Sequence, residues 1–461
     1  MPVFRTRPSG LKILIVGAGK VGTTLVQQLS MEGHDITIID KDASKVNDLT
    51  STYDVMGCVG NGASYLILKE AGVSNADLII AVTDSDELNI LCCTIAKQFA
   101  GCAVISRVRT PDYSRDSSYL RDKLGLAMII NPDLEAAKVM SRNLSMPTAL
   151  GVYSFAHGQA ETVKIKIPEG NKLDKMTIAR LGSEITNNIL ICAVERDGEV
   201  FIPGGSFELA SGDVISVVAT HKEQKNFLKL IGFPTNSIRN AMLIGGGRSS
   251  YYLASSLLKN GIDVKIIEKD LGRCERLTEL LPKAVIINGD GTNTELLVDE
   301  GIESADAFIP LTGIDEQNVM LTLHAKKVSD AKLITKINRT GFLDIINSLD
   351  LGSVVYPMIL TSEIITTYVR ARTAAPGSNI EALYHLFDSR AESIEFKVTE
   401  DSKVTGKPLK ELKLKNNLLI AFIGREGEMI IPTGDDVICK GDTVMVVTTH
   451  TGFDDIGDIL G

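Results

Sequence analysis

The sequence predicts an α/β protein of two tandem modules, each a doubly wound parallel sheet followed by a small α+β subdomain. Three observations predict it. First, "KILIVGAGKVGTTLVQQLSMEGHDITIID" at 12–40 recurs as "AMLIGGGRSSYYLASSLLKNGIDVKIIEK", with Gly17 on Gly245 and Asp40 on Glu268, both at an offset of 228. Second, the register persists far downstream. "VGNGAS" meets "NGDGTN", and Thr83, Glu87 and Asn89 fall on Thr312, Glu316 and Asn318 at an offset of 229. "ERDGEVFIPGGSFELASGDVISVV" then meets "GREGEMIIPTGDDVICKGDTVMVV" with Gly198 on Gly427 and Gly212 on Gly441. A register held over this distance marks an internal duplication, read as modules 11–232 and 239–461. Third, the front of each module alternates apolar, β-rich runs with helical stretches, the pattern of βαβ units.

In the first module the apolar runs are Ile13–Val16, Ile36–Ile39, Val55–Val59, Leu78–Val82, Ala103–Val108 and Ala127–Ile130. A helix around Pro132–Leu144 follows. Residues 160–232 then read as short alternating strands with "RDG" and "SGD" turns and one final helix. The second module is expected to repeat this, with its break near "RTAAPGSN" at 372–379. The resulting subdomains are 11–131, 148–232, 239–357 and 379–461. Helices near 88–100 and 317–328 carry apolar faces suited to a core or to a subunit contact.

Composition excludes several classes. No apolar run reaches the ~18–20 residues that cross a bilayer, and "MPVFRTRPSG" lacks the apolar segment of a signal peptide. We read it as a short lead-in. A net charge of −10 without a basic tract argues against nucleic-acid binding. The seven cysteines form no C-x-x-C and read as reduced core thiols, and the six histidines form no metal motif. No metal site is expected.

The chemistry sits in the glycines. Gly17-Ala18-Gly19-Lys20-Val21-Gly22 follows a strand and opens an amphipathic helix, which makes the sheet Rossmann-like. Gly17 permits the turn, Gly19 the approach of a pyrophosphate, and Gly22 close helix–strand packing. Phosphates would rest on the unpaired N–H groups of the helix start. Asp40, at the end of the second strand, is placed to bind a ribose diol. Its charge disfavours the 2′-phosphate of NADP, an argument that adjacent Lys41 weakens. Gly60 and Asn61 lie in a loop able to close over adenosine. Thr83 and Asp84 end the fourth strand, and Arg107, ending the fifth, is a candidate partner for phosphate or ribose. The acidic run "DSDE" at 84–87 suits a nucleotide site at least as well as a cation.

In the second copy Gly245, Gly246 and Gly247 keep the turn, but Ser250 replaces the packing glycine and Arg248 enters the loop beside Ser249. Arg248 could add a charge-assisted bond to phosphate. Glu268 takes the place of Asp40, Asp290 lies in the counterpart of the 59–64 loop, Thr312 matches Thr83, and Lys336 stands where Arg107 stands. The second site is therefore a diverged duplicate still expected to bind.

Tandem modules marked by "VGAGKVG", "VGNGAS" and "LKEAGVSNADLIIAVTDSDELN", each with a duplicated small subdomain, resemble the RCK (or KTN) domains that regulate potassium channels and transporters. Two modules in one chain are similar to the peripheral nucleotide-binding subunits of bacterial Trk-type potassium uptake. The resemblance covers residues 11–461. It implies NAD(H), and also ATP or ADP, as cofactors in the clefts. It further implies a homo-oligomeric ring of eight domains, a tetramer of this chain. That ring would lie on the cytoplasmic face of the inner membrane under a TrkH-like, membrane-embedded transporter subunit that itself handles potassium. The rival reading is an NAD-dependent dehydrogenase. It lacks an acid–base constellation, since His157 and His221 are the histidines of the first small subdomain and His221 has a repeat partner in His450. No catalytic residue is expected. A nucleotide sensor without a membrane partner would share the same ligand chemistry.

Overall fold

The computed structural model describes residues 10–461 except 147, 156–159, 187, 234–237, 340, 342, 374–377 and 388–389. The lead-in at 1–9 and His157 therefore lie outside the described residues, as does the middle of the 372–379 break.

The first large subdomain contains β1 (Lys12–Val16), α1 (Lys20–Met31), β2 (Asp35–Asp40), α2 (Ala43–Thr52), β3 (Met56–Val59), α3 (Tyr65–Glu70) and β4 (Leu78–Ala81). It continues with α4 (Asp86–Ala100), β5 (Ala103–Arg107), α5 (Pro111–Arg115), α6 (Ser117–Leu124) and β6 (Met128–Ile130). Its six strands run in the order β3-β2-β1-β4-β5-β6, parallel throughout. The central strands are buried on both faces, which is why "KILIV" and "LIIA" read as unbroken apolar runs. The helices bury one stripe each. In α1 this is Val21, Leu25, Val26 and Leu29. Helix α4 is capped by Ser85, which accepts from the Leu88 N–H, and stopped by Gly101 in the left-handed region.

After α7 (Pro132–Ser145) comes the first small subdomain: β7 (Gly151–Phe155), β8 (Ala160–Lys166), α8 (Ile178–Glu184), β9 (Leu190–Arg196), β10 (Glu199–Phe201), β11 (Val214–Ala219) and α9 (His221–Leu230). The strands form an antiparallel sheet in the order β10-β9-β11-β8-β7.

The second module repeats the plan. Its large sheet takes β12 (Asn240–Ile244), β13 (Asp263–Glu268), β14 (Val285–Asn288), β15 (Ala307–Pro310), β16 (Lys332–Lys336) and β17 (Ser353–Val355), in the order β14-β13-β12-β15-β16-β17. Between them lie α10 (Arg248–Lys259), α11 (Leu271–Leu280), α12 (Thr294–Asp299), α13 (Asp315–Val328) and α14 (Leu343–Ser348). Helix α15 (Pro357–Thr373) leads into β18 (Ser378–Leu386), β19 (Ala391–Val398), β20 (Leu418–Arg425), β21 (Glu428–Ile430) and β22 (Thr443–Thr448). These form an antiparallel sheet in the order β18-β19-β22-β20-β21.

Two features depart from the sequence reading. The modules are not self-contained, because each exchanges its connecting helix. Ile365 and Val369 of α15 lie in the core of the first large sheet, and Ala136, Ala137, Met140 and Leu144 of α7 lie in that of the second. The small subdomains also share a core, in which Phe155, Cys192 and Val218 pack with Phe387, Phe422 and Met445. The second departure is the end of the chain. The expected final helix is present as α9, but its counterpart is only a 3-10 turn at Ile456–Ile459. Gly452, at φ +76°, stands where α9 is already under way, and Asp455 caps the short turn instead.

All seven cysteines are free thiols and six are buried. Burial pushes Cys92 and Cys192 up to about 12, so neither supplies a thiolate. The paired histidines have separate local roles: His221 Nδ1 lies 2.9 Å from Glu161, whereas His450 Nε2 lies 2.8 Å from the Asn416 carbonyl. Among the described residues no helix is long and apolar enough to cross a membrane.

Candidate functional site

Both large sheets reverse strand order between their first and fourth strands, the point at which sheets of this kind bind ligands, and in the second module a cleft opens there. The chain leaves β1 through Gly17 at φ +110° and β12 through Gly245 at φ +93°, backbone that favours glycine. The helices begin at Gly19 and Gly247, neither of which has a side-chain cap. Their first N–H groups are thus left for another acceptor. A β-carbon on either residue would meet nothing within 4 Å. This is open space beside a helix start, suited to a phosphate.

The carboxylates that follow act as clamps on these turns. Asp40 Oδ2 accepts from the Ala18 N–H at 2.6 Å, and Oδ1 from the Asp42 N–H at 2.9 Å. Glu268 repeats the arrangement, accepting from Gly246 N–H at 2.6 Å and Asp270 N–H at 2.8 Å. The longer glutamate fits because Gly246 replaces Ala18. A β-carbon there would stand 2.6 Å from Leu277 and 3.1 Å from the Glu268 Cγ. Both Asp40 oxygens and Glu268 Oε1 keep a second lone pair for a ribose hydroxyl, whereas Glu268 Oε2 already accepts from Gly246 and Arg273. Asp40 is half-buried and open to one, whereas Glu268 is only 4% exposed and further paired with Arg273 at 3.3 Å.

The serine in the second turn also has a local explanation. A β-carbon on Gly22 would fall 1.8 Å from the Gly17 carbonyl oxygen. Ser250 occupies the matching position and turns that approach into a hydrogen bond, its hydroxyl donating to the Gly245 carbonyl. The second turn is correspondingly looser: a β-carbon on Gly245 would stand 3.3 Å from Thr312, against 2.9 Å between Gly17 and Thr83.

The other sequence candidates separate into rim and brace. Lys20, Lys41, Asn61, Asp84, Arg248 and Asp290 are exposed, and Gly60 is half-buried. Ala18, Val21 and Gly22 are buried under the first turn. Arg107 is buried and already engaged, donating to the Thr83 carbonyl and, at 3.2 Å, to Asp84. Lys336 is equally buried and donates to the Leu311 carbonyl at 3.1 Å. Burial makes both cations easier to deprotonate; Arg109 adds to this at Arg107, while Asp133 and Asp315 oppose it at Lys336. Both bond carbonyls at the strand ends, while Arg107 Nε is buried without a hydrogen-bond partner. The Ser249 hydroxyl is likewise committed, donating to Asp133 of α7 at 2.6 Å and leaving only its backbone for the turn. Asp290 accepts from the Thr292 N–H, which fixes its own loop and pulls its carboxyl below the usual range.

Two pairs of residues were not singled out as site residues in the sequence. Asn89 is fully buried; its Oδ1 accepts from the Thr83 N–H and hydroxyl at 2.8 and 2.7 Å, and its Nδ2 donates to the Thr83 and Arg107 carbonyls. Asn318 makes the same four bonds to Thr312 and Lys336. Asp86 accepts from the N–H groups of Arg109 and Thr110, and Asp315 from those of Asn338 and Arg339. Burial opposes ionisation of Asp86, yet the bonds from Thr110 and Arg109 hold its carboxyl below the ordinary value. These groups fix the floor of each cleft. Their signal was the repeat itself, "DSDELN" on "GIDEQN". Among the described residues no group of three or more His, Cys, Asp or Glu could hold a metal ion. In the second module the cleft encloses about 320 Å³, lined by residues that include Gly246, Gly247, Glu268, Asp290 and Thr312. That is the size at which small-molecule sites begin.

Two switch-point clefts with uncapped helix starts, each followed by a β-rich subdomain, define a tandem Rossmann-type protein. The TrkA-N domain family matches residues 13–132 and 241–357, and the TrkA-C domain family matches 162–232 and 394–461. The chain belongs to the TrkA family. It is 31% identical to the Trk system potassium uptake protein TrkA homolog 1 of Methanosarcina mazei, over 97% of this chain and 99% of that one. It is 30% identical to the TrkA homolog of Archaeoglobus fulgidus, over 98% of this chain and 100% of the relative. Among solved structures, the GsuK channel bound to NAD shares the fold with a TM-score of 0.62 at 18% identity, over 97% of this chain and 78% of that one.

Proposed function

We propose that this chain is the regulatory, nucleotide-binding subunit of a potassium transporter, taking NAD(H) in its Rossmann clefts. The observation that supports this most is the twice-built turn, an open helix start beside a carboxylate clamp, in a chain matched by TrkA-N and TrkA-C along its length. Lys20 and the N–H groups after Gly19 hold the pyrophosphate; Asp40 accepts from the adenosine ribose; Gly60 and Asn61 close over the base. ADP and ATP present the same ribose and phosphates and compete for the cleft. The second cleft binds through Gly247 and Arg248, with a weaker ribose grip because Glu268 is buried and paired. The partner is a TrkH-like membrane subunit that conducts potassium. Four chains supply a ring of eight large subdomains. A nucleotide that favours one cleft geometry shifts the ring by its differential affinity for the two states, and this sets uptake.

Titration with NADH, followed by its own fluorescence and absorbance, tests the proposal. Saturation at one or two NADH per chain without loss of absorbance is expected, with ADP displacing it. Steady oxidation of NADH with a simple acceptor would replace the regulator by a dehydrogenase. No binding of NADH or ADP would remove the nucleotide reading.

A further inference from the structure

Among the described residues, the duplicated modules are joined by an arginine–carboxylate cluster at one of their two equivalent junctions. Arg370, on α15, is 3% exposed and lies between two carboxylates. It donates to Glu32 at 2.6 and 3.1 Å and to Glu392 at 3.2 Å through each terminal nitrogen. Glu32 caps the rear end of α1, the helix whose front end forms the first glycine turn. Glu392 lies on β19 of the second small subdomain. His385, its cross-strand neighbour on β18, stands 3.6 Å from Glu392 and 3.3 Å from Glu363 of α15. His34 extends the cluster to Glu32 at 3.8 Å. Alongside it, Ser362 and Thr366 donate to Gln28 of α1. Charges from three pieces of the chain thus meet, Arg370 and Glu392 out of water and Glu32 and His385 half-buried: the first large subdomain, the exchanged helix and the second small subdomain.

Among the described residues the opposite junction has the same backbone plan but no counterpart of the Arg370 ion pairs; its charged groups, Asp133 and Lys332, bond the Ser249 hydroxyl and the Ala149 carbonyl. The Thr366–Gln28 contact is matched by Ser141–Ser256 at 2.9 Å, which fixes the alignment of α7 on α15. In that alignment Arg370 corresponds to Ser145, Glu363 to Lys138 and Glu32 to Asn260. The cross-strand pair His385–Glu392 corresponds to Ser154–Glu161, and Glu161 turns to His221 of its own subdomain instead. Duplication alone would make the two junctions alike.

We infer that the Arg370 cluster is a one-sided latch that transmits the ligand state of the first cleft, and not of the second, to the second small subdomain. Helix α1 is the rigid link, with the phosphate turn at one end and Glu32 at the other. A ligand that shifts α1 moves Glu32, and the bidentate grip of Arg370 carries the movement to Glu392. The second cleft lacks an equivalent of the Arg370 ion pairs, so its occupancy reaches the first small subdomain through apolar contacts, the Ser249–Asp133 bond and the bond from Lys332 to the Ala149 carbonyl. The inference rests on the first cleft binding nucleotide.

Amide hydrogen exchange on the full chain, with and without NADH, tests it. In a Gly247→Val background, where only the first cleft is open, NADH is expected to slow exchange in β18 and β19 by roughly fivefold or more. The Glu32→Gln/Arg370→Met/Glu392→Gln variant is expected to bind NADH, by fluorescence, without that slowing. If this variant is not folded by circular dichroism, Arg370→Lys is judged by the same criterion, since it keeps the charge and loses the two-sided grip. An undiminished response in the folded variant overturns the latch. A response lost in Gly247→Val and kept in Gly19→Val overturns its one-sidedness. Failure of the wild type to bind NADH or ADP overturns the nucleotide reading and the latch with it, whereas binding without altered exchange overturns the latch alone.

Discussion

At Gly19 a β-carbon would meet nothing, so valine there fills space without disturbing the protein. Gly19→Val is expected to abolish NADH binding at the first cleft while the circular dichroism spectrum stays that of the wild type; normal binding would mean that no phosphate rests there. Asp40→Ala removes a turn clamp and, on the proposed function, a ribose acceptor, and NADH affinity should fall by about 1–3 kcal/mol. An unchanged Kd would leave Asp40 a purely structural residue. The glycine spacing and the acid 23 residues on were legible in the sequence because each has a fixed geometric task. The roles of Arg107, Lys336 and Ser249 were not. A cation at a strand end and a hydroxyl in a turn look like ligands, and only the fold shows that Lys336, one Arg107 nitrogen and the Ser249 hydroxyl also bond neighbouring carbonyls and Asp133.

His385 gives a prediction of the opposite kind, about pH. Burial alone would lower its pKa, but the carboxylates of Glu363 and Glu392 override this and raise it to about 9 from an ordinary 6.5. Arg370, Glu32 and Asp454 complete the charged surroundings of the cluster. Because the folded-state value is the higher one, the stabilisation is complete below pH 6.5 and is lost as pH rises through about 9. The urea midpoint of the wild type should therefore fall across that window more steeply than that of His385→Gln. Parallel curves would show that the imidazole carries no charge in the fold.

At the scale of elements, the exchanged helices carry the main lesson. The sequence shows a helix around Pro132–Leu144, which the structure has as α7 with one buried stripe of Ala136, Ala137, Met140 and Leu144. Periodicity is blind to which of two duplicated sheets that stripe covers. Repeats with like cores offer like surfaces, and the choice depends on the path of the connection. The last helix failed for a plainer reason, since "THTGFDD" places a left-handed glycine where "THKEQKN" keeps helix formers. The exchange makes α15 a stability element for both modules. Arg370→Met leaves the buried Glu392 and the half-buried Glu32 without their arginine, with only His385 and His34 near them, and should cost about 3 kcal/mol in denaturant unfolding. Removing the two carboxylates as well should recover part of that loss, because no unpaired charge is then left buried. Equal losses in the single and triple variants would mean that the cluster contributes by packing rather than by charge.

For the whole molecule, the question is what covers the outer faces of α4 and α13. Each helix spends one stripe on its own core: Asn89, Cys92, Cys93 and Ala96 in α4, Asn318, Leu321, Thr322 and Ala325 in α13. The other side is not polar in compensation. Leu91 is 50% exposed, Phe99 54% and Met320 66%, and Tyr65 stacks on Phe99 with ring centroids 4.2 Å apart. A ring of large subdomains would bury these side chains between neighbours, and contiguous apolar surface of this kind marks an association site. Light scattering should find the purified chain oligomeric, at four copies for an eight-domain ring. Leu91→Glu with Phe99→Asp should reduce that size while circular dichroism and NADH binding persist, because neither residue touches the first cleft's turn. The Met320→Glu variant tests the second module's face separately. Wild-type protein that is monomeric with and without NADH would remove the ring, and would leave each chain a self-contained sensor whose two clefts communicate only through the helices they exchange.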